Sequence, residues 1–290
     1  MPQPSPEYNP SSPTEPLARS GNRKWGFVIK WIVIQGVVNL LIFWALPEGV
    51  LFPVDASRHY DARSFRSINA RGRELSTPYR LMRPGQSGGQ YPLVVFLHGS
   101  GERGSDNLSQ LRFLPEQMAT ARSRKRYPCF LLAPQCGENS AWTLEDVQAA
   151  VIALVEQTLK DEPTIDRGRI YLTGVSLGGS GAWQLAIRRP DLFAAVVPVC
   201  GAGDPEQAKA LVSVPIWAVH GTADEVIPAS QSREMISAIN SQGGHPKFSE
   251  LIGVGHDSWK SAYEESNGII DWMFLQSRTL NTVESPQSAR

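Results

Sequence analysis

The sequence has few of the side chains that build metal centres or disulfide frameworks, and it has no excess of basic over acidic residues. Its 290 residues include only three cysteines and five histidines, and 28 basic side chains balance 28 acidic ones. The cysteines show neither zinc-site spacing nor a redox CxxC pair, so neither kind of site is expected. A balanced charge gives no support for a polyanionic partner such as nucleic acid. Internal repeats are absent as well, and the length suits one large α/β domain with a short appendage.

Each cysteine has its own sequence context. Cys129 and Cys200 lie inside apolar, strand-like runs, which favours small buried side chains. Cys136 is expected on a loop, and the sequence leaves open whether it pairs or stays free.

One long hydrophobic run stands out, near the N-terminus. Residues 1–22 are rich in Pro, Ser and Asn, which predicts a disordered tail. Residues 27–46 then form an apolar run with a single charge, Lys30. As a helix this run is about 30 Å long, which matches the hydrocarbon core of a bilayer. We therefore expect a transmembrane anchor over residues 25–47.

The same run has an alternative interpretation as a cleaved secretory signal. Pro47 directly after it, and the absence of a clean small-x-small site, argue against cleavage. Arg23 and Lys24 abut the run, which weakly favours an N-terminus inside and the bulk of the chain outside. We expect a single-pass protein with an extracytoplasmic catalytic domain, and a protein secreted after signal cleavage is the alternative.

The rest of the chain divides into a lead-in, one large domain and a tail. From about Asp55 to Gln90 the chain is polar and irregular, and we expect a linker over residues 48–73. Residues 74–278 alternate strand-like and helix-like segments, which predicts a doubly wound, mostly parallel sheet with helices on both faces. Residues 279–290 are expected to form a disordered tail. The predicted strands are Tyr79–Met82, Tyr91–Leu97, Cys129–Ala133, Arg169–Thr173, Ala194–Val199, Ile216–His220 and Lys247–Ile252. The predicted helices are Leu114–Ala121, Thr143–Lys160 (capped by Thr143), Leu177–Arg188, Ala229–Ser241 and Ser261–Gln276.

A serine within Gly174-Val-Ser-Leu-Gly178 lies between a predicted strand and a predicted helix. Such a strand-to-helix turn lifts the hydroxyl clear of the sheet, which makes Ser176 the candidate nucleophile. A second match to the pattern, around Ser87, lies between two prolines and is followed by a strand. That context predicts a flexible turn rather than a nucleophile.

A serine hydroxyl needs a base to take its proton and a carboxylate to orient that base. Asp224 follows the predicted strand Ile216–His220, at the sheet edge where doubly wound folds place their sites. It lies too far before the next helix to be its cap. Glu225 and Asp204 are the competing acids.

The base candidate is His256, between the last predicted strand and the last predicted helix. His59 and His245 have no catalytic context. We expect His220, at a strand end, to be a packed, hydrogen-bonded side chain. His98 precedes the serine in the chain, and we expect its ring to brace a loop.

The negative oxygen of a tetrahedral intermediate needs two N–H donors. One is expected from the backbone of Leu177, directly after the nucleophile. The other is expected from Ser100, in the glycine-flanked loop that follows strand Tyr91–Leu97.

A set of segments together resembles a known group of enzymes. They are Pro92–Gly104 with Asp106-Asn107, Ala133–Cys136, Gly174–Gly179, Asp191–Phe193, Val199–Gly203, His220–Asp224 and Val254–Trp259. The set resembles the α/β-hydrolase superfamily, and within it the serine esterases grouped with polyhydroxybutyrate depolymerases, feruloyl esterases and so-called predicted peptidases. The resemblance covers about residues 74–278, and the anchored N-terminus is not part of the family pattern.

The resemblance has implications for the site. It implies catalytic Ser176, Asp224 and His256, in agreement with their positions along the chain. It also implies that Gln135, Trp142 and Trp259 line the acyl or alcohol pocket. For each tryptophan, a partly buried packing role is an equal alternative.

The sequence therefore predicts a serine hydrolase that cleaves carboxylic esters through an acyl-enzyme without a metal or cofactor. The expected substrate is a small-molecule or polysaccharide-linked ester, and the oligomeric state is not indicated. A serine peptidase with the same triad is an alternative, because fold alone does not settle substrate. A membrane-tethered binding module on an inactive scaffold is another, but it predicts a missing triad member and none is missing.

Overall fold

A computed structural model describes residues 54–279 of the chain. The predicted disordered tail over residues 1–22 and the predicted anchor over residues 25–47 lie outside the described residues, as does nearly all of the predicted C-terminal tail. No helix within residues 54–279 combines the length and the apolar character needed to cross a bilayer.

The described chain forms a mixed, mostly parallel sheet of eight strands. They are β1 (Tyr60–Ile68), β2 (Glu74–Met82), β3 (Tyr91–Leu97), β4 (Phe130–Pro134), β5 (Ile165–Val175), β6 (Ala195–Val199), β7 (Trp217–Gly221) and β8 (Lys247–Leu251). Their order is β1-β2-β4-β3-β5-β6-β7-β8. β2 pairs antiparallel with both β1 and β4, and the other neighbours pair in parallel.

Helices and short turns connect the strands. The α-helices of the described part are α1 (Val54–Ser57), α2 (Leu114–Met118), α3 (Ala121–Arg126), α4 (Glu145–Asp161), α5 (Leu177–Arg188), α6 (Ser230–Ser241), α7 (Trp259–Ala262) and α8 (Ile269–Phe274). Single 3-10 segments cover Ser100–Glu102, Ser109–Leu111, Pro205–Leu211 and Glu265–Asn267.

The direction of travel through the sheet reverses between β3 and β5. From β3 the chain moves outward to β4, whereas from β5 it moves the other way to β6. β3 and β5 are direct neighbours, with Val95 opposite Leu172 and Leu97 opposite Gly174. Such a reversal opens a crevice at the carboxyl ends of the strands, which is where ligands bind in open α/β sheets.

Both faces of the central strands are buried, because helices cover each side. Leu172 packs into one apolar cluster with Trp183 of α5. The adjacent Tyr171 packs into the opposite cluster with Ile270 of α8. All three cysteines are buried and free, so the open question about Cys136 is settled.

The N-terminal part of the domain differs from the sequence prediction. The predicted linker over residues 48–73 contains β1, which pairs along its whole length with β2, and β2 is longer than the predicted strand Tyr79–Met82. The sheet therefore starts before the predicted boundary at residue 74. The turn between the two strands is held by the Asn69 side chain, whose Oδ1 accepts the N–H groups of Arg71 and Arg73.

Several predicted helices have different limits. The predicted helix Leu114–Ala121 is α2 followed by α3, and Thr120 caps α3 by accepting the N–H of Ser123. Thr143 is not the cap of α4, since Leu144 occupies that position. The predicted helix Ser261–Gln276 is broken at Gly268, whose φ of 66° lies in the left-handed region and ends a helical run.

Candidate active site

Ser176 lies on a strained turn between β5 and α5. Its φ of 55° and ψ of −115° are unfavourable for a residue with a side chain, and strain of this kind is typical of functional sites. Neighbouring backbone segments approach the turn so closely that only glycine fits beside them. A Cβ on Gly178 would lie 1.9 Å from the carbonyl oxygen of Leu97. The sequence-predicted elbow geometry is therefore present at this serine.

The structure brings Ser176, His256 and Asp224 into one hydrogen-bonded chain. His256 Nε2 lies 2.7 Å from Ser176 Oγ, and His256 Nδ1 lies 2.7 Å from Asp224 Oδ2. The Asp224 side chain is fully buried, whereas that of His256 is 20% exposed. This arrangement can pass a proton from the hydroxyl to the imidazole, with the carboxylate holding the ring.

Asp224 keeps its negative charge because of its hydrogen bonds. Burial alone raises the pKa of this carboxyl, but the hydrogen bonds from His256, Ile227 and Val226 outweigh it and hold the pKa below its ordinary value. The backbone N–H groups of Val226 and Ile227 each donate to Oδ1 at 2.9 Å. The competing acids lie elsewhere: Glu225 is exposed, and Asp204 caps a 3-10 segment by accepting the N–H of Glu206.

The other histidines have the predicted surroundings. His59 and His245 are exposed. His98 is fully buried and braces its loop, since its Nε2 accepts the N–H of Cys136 at 2.9 Å and its Nδ1 donates to the carbonyl of Gly99 at 2.6 Å. Burial lowers the pKa of His98 to about 4, so the ring is neutral near pH 7. His220 is buried and hydrogen-bonded, and it also contacts Asp224.

A groove of about 420 Å³ opens beside Ser176. His256 lies along one side, and Ser100 begins the 3-10 segment on the loop after β3. The remaining lining residues are Gly99, Gly101, Glu102, Arg112, Phe113, Val175, Asp257, Trp259 and Lys260. Leu177 is the first residue of α5, where a backbone N–H has no acceptor within the helix.

Known proteins resemble this chain in sequence and in fold. The profile of the Dienelactone hydrolase family matches residues 136–265, a range that includes Ser176, Asp224 and His256. The crystal structure of a thermostable esterase matches with a TM-score of 0.70 and 37% identity, over 77% of this chain and 64% of that one. The chain has the α/β-hydrolase fold. The fold expected from its motifs is thus confirmed.

Two proteins named as esterases match the chain at lower identity. A bifunctional acetylxylan esterase/xylanase from Neocallimastix patriciarum is 29% identical over 143 residues, which are 48% of this chain and 20% of the relative. Feruloyl esterase D from Neurospora crassa is 28% identical over 131 residues, which are 44% of this chain and 45% of the relative. The chain therefore spans less than half the length of either relative.

Two residues predicted to line the acyl or alcohol pocket do not lie in the groove. Trp142 is 1% exposed and its indole N–H donates to the carbonyl of His98 at 2.9 Å, so its packing alternative describes it. Gln135 is also 1% exposed, and its amide donates to the carbonyl of Glu102 and to Asp106. Both side chains brace the loop after β3. Of the three predicted pocket residues, Trp259 alone lines the groove.

Phe113 and Glu102 line the groove without having been singled out from the sequence. The Phe113 ring is tilted against that of Trp259 at a centroid distance of 5.2 Å, and its backbone has a positive φ of 68°. The motif Gly101-Glu-Arg-Gly104 contained a signal for Glu102, since a carboxylate directly after a glycine-rich loop at a strand end lies close to the expected site. Phe113 had no local signal, because its position depends on contacts distant in sequence.

Among residues 54–279, one group of potential metal ligands was found, and it lies in the same region. Cys200, Asp224 and His256 each bring a ligand atom to within 4.8 Å of the others. Burial raises the pKa of Cys200 to about 12, which disfavours the thiolate that binds metals. Asp224 and His256 are already hydrogen-bonded to each other. The chemistry of this set does not suit a resident cation.

Proposed function

We propose that the chain hydrolyses carboxylic esters through an acyl-enzyme formed on Ser176. The observation that carries the proposal is the hydrogen-bonded chain from Ser176 through His256 to Asp224 beside an accessible groove. The esterase activities named for relatives of 28% to 37% identity support it.

The proposed reaction has two halves. His256 takes the proton of Ser176 as its Oγ attacks the ester carbonyl, and Asp224 stabilises the resulting imidazolium. The same imidazolium then gives its proton to the departing alcohol. In the second half, His256 takes a proton from water, whose oxygen attacks the acyl group, and returns it to Ser176 as the acid leaves.

The negative oxygen of each tetrahedral intermediate requires donors that are already in place. We propose the backbone N–H groups of Leu177 and Ser100 for this role. Leu177 begins α5 directly after the nucleophile, and Ser100 lines the groove from the loop after β3. These two loops follow neighbouring strands, which supports convergence of the two donors on one oxygen.

The proposed substrates are polysaccharide-linked or small-molecule esters with a compact or aromatic acyl group. The names of two relatives refer to acetylxylan and to feruloyl esters. The tilted rings of Phe113 and Trp259 on the groove wall suit an aromatic acyl group, since such rings stack with others at these distances.

A pair of serine variants tests the activity. The Ser176→Ala variant should lose turnover of p-nitrophenyl acetate and methyl ferulate by several orders of magnitude, and should lose labelling by a fluorophosphonate probe. The matched control is Ser87→Ala, because Ser87 lies in the second Gly-x-Ser-x-Gly match, is exposed and lies in a loop. Near-wild-type turnover by Ser176→Ala contradicts the proposal. Faster cleavage of peptide amides than of esters supports a peptidase instead.

We also propose that the sequence outside the described residues locates the enzyme. The apolar run within residues 25–47 anchors the chain, with residues 1–22 as an N-terminal tail, the catalytic domain extracytoplasmic and residues 279–290 as a C-terminal tail. Membrane fractionation with protease accessibility tests this. Recovery in the soluble secreted fraction, with an N-terminus beyond residue 47, supports signal cleavage instead.

A further inference from the structure

His220, the next-to-last residue of β7, contacts the proposed acid directly. Its side chain is fully buried, and its ring makes three close polar contacts. Nδ1 lies 2.8 Å from Ser232 Oγ on α6. Nε2 lies 3.1 Å from Asp224 Oδ2 and 2.8 Å from the carbonyl oxygen of Ile227.

The two neighbours of Nε2 fix its protonation. An ionised carboxylate and a backbone carbonyl have no hydrogen to donate. His220 Nε2 must therefore carry a proton and donate it toward Asp224 and Ile227. The Ser232 hydroxyl also lies 3.3 Å from the carbonyl oxygen of Gly201, to which it donates when Nδ1 donates to it. The proton on Nε2 does not depend on this choice, because neither Asp224 nor the carbonyl of Ile227 has a hydrogen to give.

The Asp224 carboxylate thus has a donor on every side. Oδ1 accepts two backbone N–H groups, from Val226 and Ile227. Oδ2 accepts a hydrogen bond from Nδ1 of His256 at 2.7 Å and one from Nε2 of His220 at 3.1 Å. His220 is the donor that links this carboxylate to the end of a central strand, through its Nε2. The buried thiol of Cys200 also lies close to the carboxylate, and burial raises its pKa so that it stays protonated.

We propose that His220 is a positioning residue that orients Asp224 for His256. The proposal rests on the proposed esterase function, and it assigns His220 no contact with substrate. Without this donor, the freed lone pair of Oδ2 interacts more strongly with His256 and the carboxylate plane is less restrained. The stronger interaction stabilises the imidazolium of His256. The looser carboxylate misaligns the His256 ring for proton transfer.

Two amide variants separate the donor from mere packing. A glutamine amide nitrogen reaches the place of an imidazole Nε2, whereas an asparagine amide reaches only that of Nδ1. His220→Asn should lower kcat roughly 10- to 100-fold, which is the range found when a hydrogen-bond partner of a metal-binding side chain is removed, with KM nearly unchanged. The acidic limb of its kcat/KM profile should move to higher pH. His220→Gln should keep the wild-type limb and most of kcat, and Ser232→Ala, which leaves the Nε2 contact intact, should do the same.

Equal losses in the Asn and Gln variants with an unmoved acidic limb assign His220 to packing and overturn the proposal, as does wild-type kcat in His220→Asn. If His220→Asn does not fold, ¹H–¹⁵N NMR of the full wild-type chain still decides. The ring of His220 should show a slowly exchanging Nε2–H signal, and an unprotonated Nε2 refutes the positioning role. This measurement needs no turnover, so it is separate from any failure of the esterase assays.

Discussion

Glu102 and Arg112 form an ion pair whose two members differ sharply in exposure. The Glu102 side chain is 6% exposed and that of Arg112 is 57% exposed, with 3.2 Å between Oε1 and Nη1. Burial raises the pKa of the Glu102 carboxyl, an effect that the charge of Arg112 only partly offsets. Because both residues line the groove, this pair places a costly charge next to Ser176.

The first prediction concerns that charge. Arg112→Ala should lower the free energy of unfolding at pH 7 by roughly 1–3 kcal/mol, between the values for exposed and buried pairs, because it leaves the carboxylate unpaired. Glu102→Gln, which removes the charge, should be less destabilising. Urea denaturation of both variants checks this order, and a more stable Arg112→Ala contradicts it.

The same carboxyl predicts a pH dependence. The pKa of Glu102 is higher in the folded state than in the unfolded state. Its contribution to the free energy of unfolding is therefore favourable below the unfolded pKa and is lost as pH rises through the folded pKa. Glu102→Gln should therefore gain stability relative to wild type as pH rises from about 4 toward 7. Unfolding free energies at several pH values measure the difference, which a constant offset would contradict.

The buried ring of His98 predicts that the free energy of unfolding falls as the pH is lowered. Its folded-state pKa of about 4 lies below the ordinary value of 6.5, so stability present at neutral pH is lost as pH falls through this interval. The loss amounts to about 3 kcal/mol, since one pKa unit corresponds to about 1.4 kcal/mol. His98→Gln should unfold with less sensitivity to acid between pH 6.5 and 4. An unchanged slope in urea titrations shows that His98 does not titrate in this way.

The aromatic wall predicts a change in acyl preference. Trp259→Leu should lower kcat/KM for a feruloyl ester by about tenfold, the equivalent of one ring contact of about 1.4 kcal/mol, with little effect on an acetyl ester. The matched control is Trp142→Leu, which alters a buried tryptophan outside the groove and should reduce stability without changing the ratio of the two rates. A parallel fall for both esters in Trp259→Leu argues against acyl recognition.

The close backbone approach at the turn that carries Ser176 predicts a contrast between two glycines. Gly178→Ala should destabilise the fold by more than about 3 kcal/mol or abolish it, because its Cβ would overlap the Leu97 carbonyl. Gly101→Ala, where a Cβ meets nothing within 4 Å, should fold normally. Thermal unfolding of the two variants measures the contrast, and similar melting temperatures would be inconsistent with the geometry.

Local sequence signals predicted the parts of the fold that depend on local chemistry. The limits of β3 and α5 agree with the predicted segments, since apolar runs and a strand-to-helix glycine pattern mark them. β1 was missed because exposed and half-buried residues alternate along it, so pairing with β2 rather than a buried face defines it as a strand. The break at Gly268 was missed because the apolar pattern continues across it.

The site shows the same division. Ser176, Asp224 and His256 each follow a predicted strand, so their order along the chain was enough to suggest that they meet. The pocket wall was harder to foresee. Phe113 reaches it through a positive φ and a contact with Trp259, which are properties of the folded chain. Gln135 and Trp142 lie in segments that resemble the family, but burial directs them into the loop scaffold.

The pairing of β3 with β5 fixes the distance between the two loops that carry Ser100 and Leu177. A slip of one residue between these strands would turn every side chain to the other face and dismantle two apolar clusters at once. The amide protons of β3 and β5 should therefore be among the last to exchange with deuterium, because these strands open only when the whole domain unfolds. The spacing of the proposed oxyanion donors is thus as durable as the domain itself.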